Sequence, residues 1–148
     1  MYKRILVPLD GSNRAERILP QVEEIALRFK AKLILLQVVE PILYYVGRYP
    51  SMIDFNSEMS KERLVKAKKY LSGLKGEFRE KGVSSKVIVE EGPVVSTIIK
   101  ISNQEDVGLI AMASHGYTGL SRVFYGSIAA GVLHQVDRPL LLIRTRRD

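Results

Sequence analysis

The sequence predicts an α/β protein: a three-layer α/β/α sandwich around a five-stranded parallel sheet. Three observations lead there. Short apolar runs alternate along the chain with segments of helical period. The runs are apolar at nearly every position, the pattern of strands buried on both faces. Strand and helix alternate throughout, so successive strands are joined by crossovers and lie parallel.

Residues 3–9 form the first strand, with Ile5, Leu6, Val7 and Leu9 in near-continuous succession. Asp10, Gly11 and Ser12 break the run. Asn13, with Glu16 three residues on, starts a helix over 13–29 whose stripe is Ile18, Val22, Ile25, Ala26 and Phe29. Pro20 falls inside it and is expected to kink it, since an interior proline costs about 3 kcal/mol. Residues 32–39 are the second strand. Residues 40–57 hold Pro41, Gly47 and Pro50 among Tyr44, Tyr45, Tyr49 and Phe55 and have no clean period, which predicts a long loop suited to a lid. A second helix over 58–81 carries Leu64, Ala67, Leu71, Leu74 and Phe78 on one face and ends at Gly82.

The third strand is placed at 86–89 and the third helix at 94–103, after the turn at Glu91, Gly92 and Pro93. The fourth strand covers 107–112, a glycine-bearing loop 113–125, the fourth helix 127–135 and the fifth strand 140–144. Right-handed crossovers leave the flavodoxin-like arrangement or its relative with order 3-2-1-4-5. For the second, the winding reverses between the first and fourth strands, and ligands bind beyond the carboxyl ends of the strands at such a point. The loops to inspect then begin at Pro8 and Met112.

Composition bounds the rest. The 148 residues are 46% hydrophobic and 26% charged, which fits one globular domain over 1–148. Apolar stretches fall far short of the roughly 20 residues that span a bilayer. The chain runs from Met1 straight into a strand, without the longer apolar region of a signal peptide, so the expected location is the cytoplasm. With no cysteine, a disulfide framework and a thiolate zinc site are both excluded. The 23 basic and 16 acidic residues leave a charge of +7, suited to a phosphate-bearing partner. The basic residues are scattered along amphipathic segments and gather only at Arg144, Arg146 and Arg147, a solvated surface more than a nucleic-acid footprint.

The second of the two loops passes through Met112, Ala113, Gly116 and Gly126 before Ser127 opens a helix. Small residues admit a ligand close to the backbone, and the helix start offers free N–H groups and a positive dipole end to a phosphate. Ser127 either adds a hydroxyl donor or caps the helix. In the first loop, Asp10 is a poor phosphate ligand but a good acceptor for ribose hydroxyls, unless it merely caps the first helix. The combination suits a nucleotide.

Pro8-Leu9-Asp10-Gly11-Ser12, the stretch from Met112 to Ser127, and Arg138-Pro139-Leu140-Leu141-Leu142-Ile143 together resemble the universal stress protein family over essentially the whole chain. The family's glycine signature, Gly-x2-Gly-x9-Gly-[Ser/Thr], is matched by Gly116, Gly126 and Ser127, with Ala113 in place of its first glycine. The resemblance implies the adenine-nucleotide α-hydrolase-like fold with order 3-2-1-4-5 and ATP as ligand, with Mg²⁺ as a further option. It places Asp10 at the ribose or adenine, the backbone of Val38 at adenine, and Met112, Ala113, Gly116, Gly126, Ser127 and Ile128 along the ribose and phosphate path, with Pro8 also among the nucleotide-binding residues. It further implies a homodimer through the apolar last strand, a regulatory role with an unknown protein partner, and at most slow ATP hydrolysis or autophosphorylation. In that reading ATP orders the 40–57 loop.

The rivals lack their residues. A receiver domain needs an acidic cluster after the first strand, a P-loop needs a lysine followed by Ser/Thr, and a nucleophile elbow needs glycine where Met112 stands. Neither His115 nor His134 has a ligand-spaced carboxylate cluster for a transition metal. The competing function is a dimeric protein-interaction module of the same fold that binds no nucleotide.

Overall fold

Five parallel strands stand in the order β3-β2-β1-β4-β5. They are β1 (Arg4–Pro8), β2 (Lys32–Val39), β3 (Ser85–Glu91), β4 (Leu109–His115) and β5 (Leu140–Thr145). The helices are α1 (Asn13–Glu16), α2 (Leu19–Phe29), α3 (Pro50–Glu80), α4 (Val94–Gln104) and α5 (Ser127–Gln135). The structure is a computed structural model that describes residues 1–41, 50–115 and 126–145, with side chains for 1–41, 58–114 and 126–145.

Strand alternation divides the core in two. Ile5, Val7, Leu33, Leu35, Leu109 and Ala111 point to one face and pack with Val22 and Ala26 of α2 and Leu71, Leu74 and Phe78 of α3. Leu6, Ile34, Leu36, Ile110 and Met112 point to the other and meet Ile98 and Ile101 of α4 and Ala129 and Val132 of α5. Both faces of β1 are thus covered, which is why its run is apolar without alternation. In register, Leu6 lies beside Ile34 of β2 and Ile110 of β4. The winding reverses between β1 and β4, as the 3-2-1-4-5 reading requires.

Several element boundaries differ from expectation, most of them by one or two residues. The helix expected over 13–29 is two helices, α1 and α2. Pro20 sits in the first turn of α2, where its missing N–H breaks no intrahelical bond, so the chain restarts there instead of kinking. The cap of α1 is Ser12, whose hydroxyl accepts from the Ala15 N–H, one residue before the Asn13 start. The long loop is shorter than expected, because α3 begins at Pro50. Proline at a first helical position is a start signal, and the loop reading took it for a breaker. The part of that lid expectation on 42–49 lies outside the described residues.

Strand β4 runs on to His115, so Ala113 belongs to the strand and not to the loop. Polar residues extend the pairing: Ser114 lies opposite Arg144, and the buried Thr145 hydroxyl donates to the Ser114 carbonyl at 2.8 Å. Beyond the other end of β5, Arg138 ties the sheet to α4. Its Nη1 donates to the carbonyls of Ser102 at 2.8 Å and Val107 at 3.2 Å, its Nη2 to Asn103 Oδ1, and its Nε to Asp137 at 2.9 Å. A guanidinium satisfies all of these at once because its donors lie in one rigid fork.

Candidate functional site

The site grows from the end of β1. After Pro8 the Leu9 N–H donates to the Leu36 carbonyl at 2.8 Å, which keeps the chain against β2 for one more residue. Asp10 then accepts from the backbone N–H of Ser12 at 2.9 Å and from its hydroxyl at 2.6 Å. Gly11 between them has φ 83°, a left-handed conformation that a Cβ would strain. Asp10 therefore holds the residue that caps α1 and does not cap the helix itself. This loop fixes its carboxylate at a rim shared by two hollows.

The first hollow, about 150 Å³, opens at the β1/β4 reversal. It brings together Pro8, Asp10, Met112, Ala113, Gly126, Ser127 and Ile128, seven of the residues expected from sequence. Its wall is apolar, with Ile98 and Met112 buried behind it. At its mouth Gly126 is the N-cap of α5 and makes no side-chain hydrogen bond. Ser127 is the first helical residue, so the reading of Ser127 as the cap is corrected by one position. The first intrahelical bond runs from the Ala130 N–H to the Gly126 carbonyl at 2.9 Å. The N–H groups before it have no intrahelical acceptor, and α5 directs its positive dipole end toward the cleft.

Ala113 occupies the place of a signature glycine without backbone strain. Among the described residues only Lys30 and Asp106 are non-glycine residues with positive φ, so position 113 does not need glycine for its conformation. Gly116 lies outside the described residues.

Val38 lies in neither the wall nor the mouth of that cleft. It lines the second hollow, about 330 Å³, on the far side of Asp10, together with Gly11, Gln37, Arg63, Lys66 and Tyr70. That volume alone reaches the lower end of the roughly 300–1,000 Å³ of small-molecule pockets. The sequence reading missed Gln37, Arg63, Lys66 and Tyr70. The only local signal was Gln37, a polar residue interrupting the apolar run of β2. Its Oε1 is buried without a hydrogen-bond partner, a state that costs about 1–3 kcal/mol unless something supplies a donor.

Tyr70 closes this hollow from α3. Its hydroxyl donates to Glu16 Oε1 at 2.6 Å, joining α3 to α1. Burial, then the bond to Glu16 and the negative charges of Glu16, Asp10 and Glu77, push the phenol well above its usual value. The folded protein keeps a proton that the unfolded chain loses near pH 10. This contribution to stability is whole below about pH 10 and declines as pH rises past it. We expect unfolding free energy above about pH 10 to fall more steeply in the wild type than in Tyr70→Phe. Parallel pH profiles from denaturant titration would contradict this.

Chemically, the shared rim offers a carboxylate for hydroxyl groups, an apolar wall for a planar ring and an uncapped helix start for an anion. Among the described residues no group of three or more His, Cys, Asp or Glu side chains converges as a metal site.

Fold and site together define a doubly wound parallel α/β protein with a cleft at its topological switch point. The chain belongs to the universal stress protein family, whose profile matches residues 1–144. A universal stress protein of Methanocaldococcus jannaschii is 29% identical over 159 aligned residues, covering 100% of this chain and 98% of the relative. Its solved structure has a TM-score of 0.85, with 100% and 99% of the two chains covered. The universal stress protein UspA from Lactobacillus plantarum has a TM-score of 0.81 at 25% identity, over 97% of this chain and 98% of that one. A universal stress protein in complex with cAMP shares the fold, with a TM-score of 0.64 at 18% identity over 98% of each chain.

Proposed function

We propose that this chain is an adenine-nucleotide-binding universal stress protein, with ATP as its ligand, acting as a dimeric regulatory module of a stress response. The observation that carries the reading is the convergence of the Asp10 carboxylate, the apolar wall of Ile98 and Met112, and the uncapped start of α5 on one cleft. Base, ribose and phosphate each find a fitting surface in that order: the wall, the carboxylate and the helix N–H groups. Mg²⁺, if carried in with the phosphates, would find Asp10 as the one carboxylate among the described residues that line the hollow. Among the described residues no helix is long and apolar enough to cross a membrane.

Calorimetric titration with ATP, with and without Mg²⁺, tests the reading: we expect saturable binding at one site per chain. No heat from a folded protein would overturn it in favour of a nucleotide-independent interaction module. The dimer is assigned to β5, an edge strand of the sheet with the apolar sequence Leu140-Leu141-Leu142-Ile143. Unpaired backbone groups along such an edge favour a second copy. Sedimentation across micromolar concentrations should then give twice the 16.7 kDa chain mass, and a persistent monomer would refute the assignment.

A further inference from the structure

We infer that the outer edge of β3 and the flank of α3 above it form a docking surface for an acidic, extended segment of a partner protein, which adds to the sheet as a further strand. No residue of β3 or of that flank lines either hollow, so the inference stands apart from the nucleotide reading. The opposite edge of the sheet, β5, is the one assigned above to a second copy.

The backbone of β3 is half used. At its two ends the Leu33 N–H donates to the Ser84 carbonyl at 2.9 Å and the Gly92 N–H donates to the Val39 carbonyl at 3.0 Å. The parallel register with β2 is unbroken between them, so Lys86, Ile88 and Glu90 turn their N–H and C=O groups toward β2. Ser85, Val87, Val89 and Glu91 turn theirs outward, where no strand of the described residues pairs with them. Such a row of donors and acceptors is a template for another strand.

The flank of α3 selects the sign of the partner. Lys61, Val65, Lys68, Ser72, Lys75 and Arg79 recur at alternating intervals of four and three and form one exposed stripe without a carboxylate. Val65 within it is 67% exposed. Half a turn round the helix, Tyr70 and Lys81 bond to Glu16 of α1 and Glu23 of α2. Helix α2 lies over β1 and β2, and α3 over β2 and β3, so the stripe looks outward past β3. It is about 27 Å long, against about 23 Å for the seven residues of β3. None of its cations is hydrogen-bonded or ion-paired with a described residue. Glu91, at the last position of β3, is the one carboxylate on the α3 face of that strand. On the other face the charges cancel: Lys86 pairs with Glu105 at 2.7 Å and Lys100 with Glu90 at 2.6 Å. An added strand thus meets unmatched positive charge on one face only, and carboxylates at every second residue answer it. A second copy docked by the same edge would set the stripe against itself, like charge on like.

The probe is an acetylated and amidated peptide of about ten residues in which Glu alternates with Thr, so that an extended strand carries every carboxylate on one face. The comparators are a peptide of the same composition with its Glu residues consecutive, and the alternating peptide with Lys for Glu. Chemical shifts and hydrogen exchange of the backbone amides are followed in the whole ¹⁵N-labelled chain. We expect saturable binding of the alternating peptide, weaker at high salt, with exchange slowed at Val87 and Val89 and unchanged at Ile88, whose N–H already bonds to β2. Neither comparator should bind as tightly. The exposed double variant Lys68→Glu/Lys75→Glu should bind at least roughly tenfold more weakly while keeping a folded spectrum, and Lys68→Arg/Lys75→Arg should bind as the wild type does. The inference is overturned if binding does not saturate, if Val87 and Val89 gain no protection, if either comparator binds as well, or if the charge-reversed variant binds unchanged. Protection of the same amides without peptide, rising with protein concentration, would give the edge to a second copy instead. Tighter binding of an oligothymidylate than of the peptide would give the stripe to nucleic acid, and either result overturns the inference. Gly126→Asp should leave peptide binding intact, so loss of ATP binding with this response preserved would refute the nucleotide reading alone.

Discussion

Gly126→Asp is expected to leave the protein folded and at least as stable, yet to lower its affinity for ATP by roughly 100-fold or more, about 2.7 kcal/mol. Gly126 is the N-cap of α5 with φ −50° and ψ 154°, a negative φ that aspartate adopts without strain. Aspartate is among the best N-cap residues, and its carboxylate can accept from the N–H groups of the first turn that no side chain now caps. The same carboxylate stands where phosphates are proposed to bind, so it consumes their donors and repels their charge. Thermal unfolding and calorimetry on one preparation separate the two effects. An unfolded variant would make the substitution uninformative about the cleft, and Gly126→Ala then serves as the folded comparison. Full ATP affinity in a folded Gly126→Asp protein would remove the phosphates from α5 and with them the proposed site.

Arg138→Leu is expected to destabilise the fold by about 3 kcal/mol, through loss of hydrogen bonds to buried or partly buried acceptors. The Arg138 side chain is only 17% exposed and bonds the carbonyls of Ser102 and Val107 and the side chain of Asn103. Ser102 and Val107 are themselves buried, so their carbonyls do not readily recover water once the guanidinium is gone. The contact to Asp137 matters less. Asp137 is exposed, and the adjacent Arg138 merely holds its carboxyl below the usual range. A fall of roughly 6–12 °C in unfolding midpoint is expected. Lysine should not rescue it, because one ammonium cannot reach acceptors spread around a planar fork. A midpoint unchanged in Arg138→Leu would show that water replaces the guanidinium there.

Much of the fold was legible because its signals are local. The β2 and α5 boundaries, Lys32–Val39 and Ser127–Gln135, coincide with the sequence reading. In both cases a run of one period ends at residues that cannot continue it. The misplaced starts of α2 and α3 share a physical cause: proline's meaning depends on position. Pro20 and Pro50 were read as interruptions, yet both sit in a first helical turn, where no intrahelical bond is lost. Strand β4 outran its apolar run because Thr145 of β5 satisfies Ser114 from across the sheet, and nothing near Ser114 in sequence reveals that.

The cleft at the β1/β4 reversal was also legible, since its walls come from the two loops that the strand order singles out. By itself the sequence determined the alternation of strand and helix, the apolar sets that form the two cores, and the carboxylate and glycine loops at the strand ends. These follow from periodicity and turn chemistry within a few residues of each position. Only the tertiary structure decided that Arg63, Lys66 and Tyr70, on the polar and flanking faces of α3, stand over Gln37 and Asp10. A helical period states which residues face outward, but not what they face. That depends on where the crossover sets α3 down on the sheet, and the placement is determined by packing of Leu71, Leu74 and Phe78 far along the chain from either loop.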